Sequence, residues 1–165
     1  MSNRVALLLG GSLVVAAVAT GLVVSVPGVA AASRCEEVTG TITSTADFGT
    51  FTTRGTASGD IEGNTFFQGD LSSLAPVTAL TSPPLNPTDH YTGDFTITTN
   101  KGVLKTRSVG VFELVGNGLG TQFDRVLPDQ STGKFAGATG VLYFNFLSDS
   151  SGTAFTSSYA GQICR

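Results

Sequence analysis

Cys35 and Cys164 are the only two cysteines of this 165-residue chain, and together they bracket nearly everything that follows an N-terminal apolar stretch. A disulfide between them requires Cα atoms within about 7 Å of each other. A chain cross-linked in this way must bring its two ends side by side, in a compartment that permits disulfides. The competing reading is a pair of buried free thiols.

The apolar stretch bears on the compartment. After Asn3-Arg4, residues 5–26 form an apolar run, then Pro27-Gly28 and small residues up to Ser33, with Arg4 the only charged side chain. A basic start, an apolar core and an A-x-A-like end describe a secretory signal peptide. The run also approaches the ~20 residues that span a bilayer, so a retained N-terminal anchor is the other reading. Gly10-Gly11, Gly21 and the helix-breaking Pro27-Gly28 favour cleavage after Ala31 or Ala32. Arg34 precedes Cys35, which rules out a lipid-modified cysteine, since that needs a small residue before it. The expected organisation is a signal peptide over 1–33 and one secreted or periplasmic domain over 34–165, free of the membrane once cleaved.

Without 1–33, eight Lys and Arg remain (nine less Arg4) against twelve Asp and Glu, a net charge of −4. Mild acidity argues against a nucleic-acid partner, which calls for a clustered basic face. All 11 Phe and 3 Tyr fall in this part, and there is no Trp. About 130 residues make one domain with a genuine core.

Thr, Val and Phe in period-2 alternation, punctuated by Gly, predict an all-β domain with no helix of note. Strands are expected near 38–45, 51–58, 61–71, 91–99, 103–115, 119–127, 140–147 and 153–164. Asn100-Lys101-Gly102, Asn117-Gly118 and Asp149-Ser150-Ser151-Gly152 read as tight turns, so the order is a meander of antiparallel neighbours. Eight such strands give an eight-stranded antiparallel up-and-down β-barrel, which also brings Cys35 to Cys164; a sandwich with adjacent termini is the alternative. Residues 75–89, with Pro76, Pro83, Pro84 and Pro87, are expected to be neither strand nor tight turn, but a long loop, either a binding loop or lid or a disordered excursion. Alternation places Phe67 with Leu71, Tyr91 with Phe95 and Ile97, Leu142 with Phe144 and Phe146, and Phe155 with Tyr159 and Ile163 on inward faces. Gly63, Gly69, Gly93 and Gly161 share that parity and leave space there. A barrel of this size is either filled by its side chains or holds one small ligand.

Thr132-Gly133-Lys134-Phe135-Ala136-Gly137-Ala138-Thr139-Gly140 resembles the Gly-Thr-Gly-x-Phe-x-x-Ala-x-Gly signature of the allene oxide cyclase and dirigent superfamily, with Ser131 where the first glycine stands. Residues 95–113 are similar to bacterial exported members of that group. The two matches cover about a fifth of the chain. The resemblance implies an eight-stranded barrel, commonly trimeric, that holds an apolar substrate in a shaped cavity and steers its reaction, a cyclisation among others, with little acid–base chemistry. It carries over no catalytic residue. On this chain the signature reads as a glycine turn with Phe135 plugging one barrel end and Ala138 packed against backbone.

A direct search for chemistry finds little. His90 is the single histidine, placed outward at a strand start, so neither a His-based metal site nor a triad is expected, and no cofactor is implied. Gly116-Asn117-Gly118-Leu119-Gly120 joins two strands and opens no helix, so it is not a dinucleotide loop. Arg125 shares parity with Phe123 and Leu127 and is expected to point inward, towards an anionic ligand. Arg107 and Glu113, interleaved with Val103, Val109 and Val111, form an outer stripe or a subunit interface. The expected ligand-lining residues are Phe67, Tyr91, Phe95, Phe112, Phe123, Arg125, Phe144 and Tyr159. The expected function is a secreted barrel that binds an apolar small molecule, steering a cyclisation; the alternative is a non-catalytic extracellular structural or interaction module.

Overall fold

Each of the eight alternating segments forms a strand. The computed structural model describes residues 34–78, 87–113 and 118–165. Its strands are β1 (Cys35–Asp47), β2 (Thr52–Gly59), β3 (Gly63–Gly69), β4 (Ala75–Pro76), β5 (Thr88–Thr99), β6 (Gly102–Glu113), β7 (Leu119–Val126), β8 (Thr139–Ser148) and β9 (Ala154–Cys164). All pair antiparallel in the order β3-β2-β1-β9-β8-β7-β6-β5, and β3 also pairs with β5, which closes the sheet. β4 follows β3 along the same edge of β5, after a 3-10 turn at Leu71–Ser73, so nine elements make eight staves. Closure removes the exposed edges that an open meander would leave, and it decides for the barrel over the sandwich.

Three expectations need correction or restriction. The segment 75–89 is not loop throughout: Ala75 pairs with His90 and Pro76 with Asp89, and the Val77 N–H donates to the Thr88 carbonyl at 2.8 Å. Pro76 is tolerated because β4 is a two-residue edge piece with few ladder donors to lose. Residues 79–86, with Pro83 and Pro84, and Asn117 of the Asn-Gly turn lie outside the described residues, as do 1–33 with the expected signal peptide. Leu71 does not face inward. It begins the 3-10 turn, where the Asp70 carboxylate accepts from the Ser72 N–H at 2.9 Å, and it stands 58% exposed.

The barrel is filled at one end. Ile61, Ile97, Leu104, Leu142 and Ile163 are almost completely buried there, and Phe135 from the β7–β8 connection closes over them with Ala138. Gly133 makes that connection possible. Its φ of 59° is left-handed, and a Cβ would meet the Lys101 carbonyl oxygen at 2.2 Å. Ser131 contributes what a glycine could not: its Oγ accepts from the Lys105 N–H at 3.1 Å and donates to the Leu127 carbonyl at 2.9 Å, tying the connection to β6.

Cys35 and Cys164 lie directly opposite each other in the β1–β9 ladder at this same end, and they are disulfide-bonded. Arg34 and Arg165 continue the ladder by exchanging backbone hydrogen bonds of 2.8 and 3.0 Å, and Arg165 pairs with Glu36 across the seam. The cross-link spans 129 residues of sequence, so it restricts nearly the whole unfolded domain. Replacing both cysteines with Ser is expected to remove about 2–5 kcal/mol of stability and to lower Tm while the far-UV β spectrum is kept. An unchanged Tm in the double variant would show that the barrel seam does not depend on the bond.

Candidate functional site

The end opposite the disulfide is not filled. A cavity of about 90 Å³ lies there, lined by side chains of β1, β2, β3, β5, β6, β7, β8 and β9 and of the β1–β2 turn. Its deep wall is buried Phe67, Tyr91, Phe95 and Phe144, with Phe51, Phe112, Phe146 and Phe155 higher up. Asp47 and half-exposed Phe48 mark the rim, so the cavity opens past the β1–β2 turn. Neighbouring rings meet edge to face: Phe51, Phe67 and Tyr91 form a trio with centroids 5.6–6.0 Å apart, and Tyr91–Phe112 and Phe95–Phe144 follow at 5.7 and 5.3 Å. Such pairs add roughly 0.5–1.5 kcal/mol each beyond their buried area.

The interior glycines are seats for these rings rather than empty space. Tyr91 faces Gly110 in the ladder, Phe146 faces Gly120 and Tyr159 faces Gly40. A Cβ on Gly110 would lie 2.4 Å from the Tyr91 hydroxyl, and one on Gly120 would lie 2.0 Å from the Phe146 ring. Gly69 and Gly93, expected to leave room, are occupied by the rings of Phe51 and Phe67, while Gly63 and Gly161 abut neighbouring backbone carbonyls. Phe51 holds its seat at a cost. Its φ is 53°, left-handed and unfavourable for a side chain of its size.

Beneath the rings runs a polar chain. The Tyr91 hydroxyl donates to Gln122 Oε1 at 2.7 Å. Gln122 Nε2 donates to Asp124 Oδ1 at 2.7 Å and to Ser108 Oγ at 3.2 Å, and Thr106 Oγ1 donates to Asp124 Oδ2. Asp124 is fully buried. Burial pushes its carboxyl up to about 6, against the opposing hydrogen bonds from Thr106, Ser108 and Gln122. Burial, with the Asp124 charge behind it, also raises the Tyr91 phenol, which stays protonated. Only Gln122 and Tyr91 of this chain touch the cavity; Asp124 stands one hydrogen bond behind.

Phe67, Tyr91, Phe95, Phe112 and Phe144 line the cavity, as expected from alternation. Tyr159 is buried, but its hydroxyl is bound to the β2–β3 turn, accepting from the Ile61 N–H at 2.9 Å and donating to the Ile61 carbonyl at 3.2 Å, so it braces the closed end. Phe123 and Arg125 do not line the cavity. β7 carries Gln122, Asp124 and Val126 inward, which turns Phe123 against Tyr143 on the outside, 5.3 Å between centroids, and leaves Arg125 exposed. The face with the larger apolar residues is thus the outer one, because Thr106 and Ser108 on β6 supply partners for an inward polar face. The anionic-ligand role expected of Arg125 falls with its orientation. Arg107 is likewise outward, ion-paired with Asp94 at 3.0 Å. Among the described residues no cluster of His, Cys, Asp or Glu is arranged to hold a metal ion. Comparison with protein-family models, with curated proteins and with solved structures returns no match. An eight-stranded barrel by itself identifies neither a superfamily nor a function.

Two variants probe this arrangement. Raising the Asp124 carboxyl from 3.8 to about 6 corresponds to roughly 3 kcal/mol. The folded chain binds that proton more tightly than the unfolded one, so this stabilisation is present in acid and is lost as pH rises from about 4 through about 6. Asp124→Asn removes the charge and keeps one acceptor, for Gln122 Nε2, while its NH2 reverses the Thr106 contact by donating to the hydroxyl. Relative to the parent it is expected to gain stability between pH 4 and pH 8, and a lower Tm than the parent at pH 8 would contradict this. Gly110→Ala is expected to cost about 1–3 kcal/mol by displacing Tyr91 from its seat and from Gln122, read by urea denaturation; a neutral result would refute the seating.

Proposed function

We propose that the protein is a secreted or periplasmic binder of an apolar small molecule, held in the aromatic mouth and steered there towards a cyclisation-type reaction. The observation that carries the reading is the division of the barrel: one end is packed shut, and the other keeps a largely ring-lined space of about 90 Å³, with Gln122 and the Tyr91 hydroxyl as its deep polar edge and Ser44, Ser157 and Asp47 towards the β1–β9 side and the rim. One water needs about 10–15 Å³ by this measure, so the space admits roughly six to nine waters or one small ring. A longer ligand would extend out past Phe48. A ligand there would lie between the rings of β3, β5, β6 and β8 and the smaller side chains Ile42, Ser44, Ala46 and Ser157, an enclosure that restricts its conformers, as steering requires. The disulfide supports the compartment, because it forms and persists under oxidising conditions.

A 1H–15N NMR titration with indole, a small neutral aromatic, tests the reading. Shifts are expected at Ile42, Phe67, Tyr91, Phe112 and Gln122, and Ser157→Phe, which puts a ring into the cavity wall, is expected to abolish them. Shifts confined to Phe123 and Tyr143 on the outer wall would overturn it.

A further inference from the structure

The barrel interior is charged with one sign only. None of the described Lys, Arg or His side chains points into it: Arg54, Lys105, Arg107, Arg125 and His90 face outward on their strands, and the others sit at the disulfide end. The acids are distributed differently. Asp124 is fully buried beneath the cavity, Asp89 is buried on the same inner face of β5 as Tyr91 and directly across from Phe112, and Asp47 stands at the rim. A buried carboxylate held only by neutral donors leaves a free-energy deficit that a nearby positive charge would reduce. The hydrogen bonds also fix the direction of the intervening amide. A carboxylate accepts only, so Gln122 must turn Nε2 to Asp124 and Oε1 to the Tyr91 side, where one lone pair remains. The walls around this point are aromatic, and ring faces attract cations through their quadrupole.

We propose that the aromatic mouth selects a cationic ligand: an amine or quaternary ammonium on a small apolar body. This rests on the mouth being a ligand site and adds the charge of what it takes. The apolar body lies among Phe51, Phe67 and Phe112, and the positive group sits against Gln122 Oε1, with the Asp124 charge immediately behind. A carboxylate ligand would meet no cation there and would be repelled by Asp124. The preference is pH-dependent. Asp124 faces Thr106 and Ser108 from β6, Leu142 from β8 and Gln122 on its own strand, none of them titratable. Tyr91 stays neutral, and Asp89 and Asp47 are the other acids near the mouth, of which Asp47 is held below the ordinary carboxylate range by the Thr50 hydroxyl and the Gly49 N–H. Acidification through about 6 therefore neutralises Asp124 ahead of Asp47.

The test is an NMR titration of the purified protein at pH 8 with three probes: benzyltrimethylammonium, its uncharged carbon isostere neopentylbenzene, and phenylacetate. The cation is expected to bind at least about tenfold tighter than the isostere, with phenylacetate weakest. The ratio of cation to isostere should shrink at pH 5, and again at pH 8 in Asp124→Asn. Equal affinity for cation and isostere, tighter binding of phenylacetate, or an unaltered ratio in Asp124→Asn would overturn the charge assignment while leaving the apolar site standing. Binding of none of the three at the mouth would overturn both.

Discussion

The structure depends on where its aromatic rings can lie. A closed eight-stranded barrel has an interior only wide enough to be filled by side chains, and this chain sends more than half of its 11 Phe and two of its 3 Tyr into it. Standing upright, those rings would collide at the axis. Five of them lie instead across neighbouring strands over a residue that has no Cβ: Phe51 on Gly69, Phe67 on Gly93, Tyr91 on Gly110, Phe146 on Gly120 and Tyr159 on Gly40. The glycines weaken their strands individually, but each removed Cβ lets a ring bury a large apolar face against the wall. Rings held to the wall leave space at the axis, and the cavity is that remainder.

The same constraint explains the polar seam. With rings from β3, β5 and β8, and Phe112 at the open end of β6, crowding the mouth, the middle of the β6–β7 interior is given to small and polar groups: Thr106, Ser108, Gln122 and Asp124. Buried polar groups are tolerated when each finds a partner, and these satisfy one another and the Tyr91 hydroxyl in one continuous chain. The charge on Asp124 has no such compensation from within the described residues, which sets the seam apart from an ordinary core hydrogen-bond network.

Strand positions and the meander order could be read from the sequence because each follows from a local pattern, period-2 alternation or turn residues. Barrel closure and the Cys35–Cys164 bond are expected from the two cysteines at the chain's ends with a sandwich and free thiols left open, and the β3–β5 pairing and the disulfide decide them. Five of the eight expected lining residues could be read from alternation as well. β7 could not. Its alternation offers Phe123 and Leu119 on one face and Gln122, Asp124 and Val126 on the other, and hydrophobicity alone picks the wrong face. Only the partners across the ladder, Thr106 and Ser108, make the polar face the inner one, and that is tertiary information. Phe51 was hidden differently. It reads as the start of a strand, whereas it occupies a left-handed turn position that sequence pattern assigns to Gly or Asn.

The two barrel ends differ in how tightly they are held. At one end the aliphatic plug, Phe135, the Ser131 clip, the Tyr159 brace and the disulfide all act on the same few layers. At the other end Phe51 bears an unfavourable backbone angle, Asp124 is buried without a counter-charge, and Phe48 is exposed. Each of those features lowers stability, and a fold of marginal stability tolerates them only where strong interactions elsewhere offset them. A barrel transmits such support well, because its eight staves run from the clamped end towards the open one and each is paired on both sides. The clamp at Cys35–Cys164 therefore bears on the cavity although it lies at the far end: it holds the staves together where the core is packed, while the open end keeps a ring-lined space with Asp124 buried beneath it.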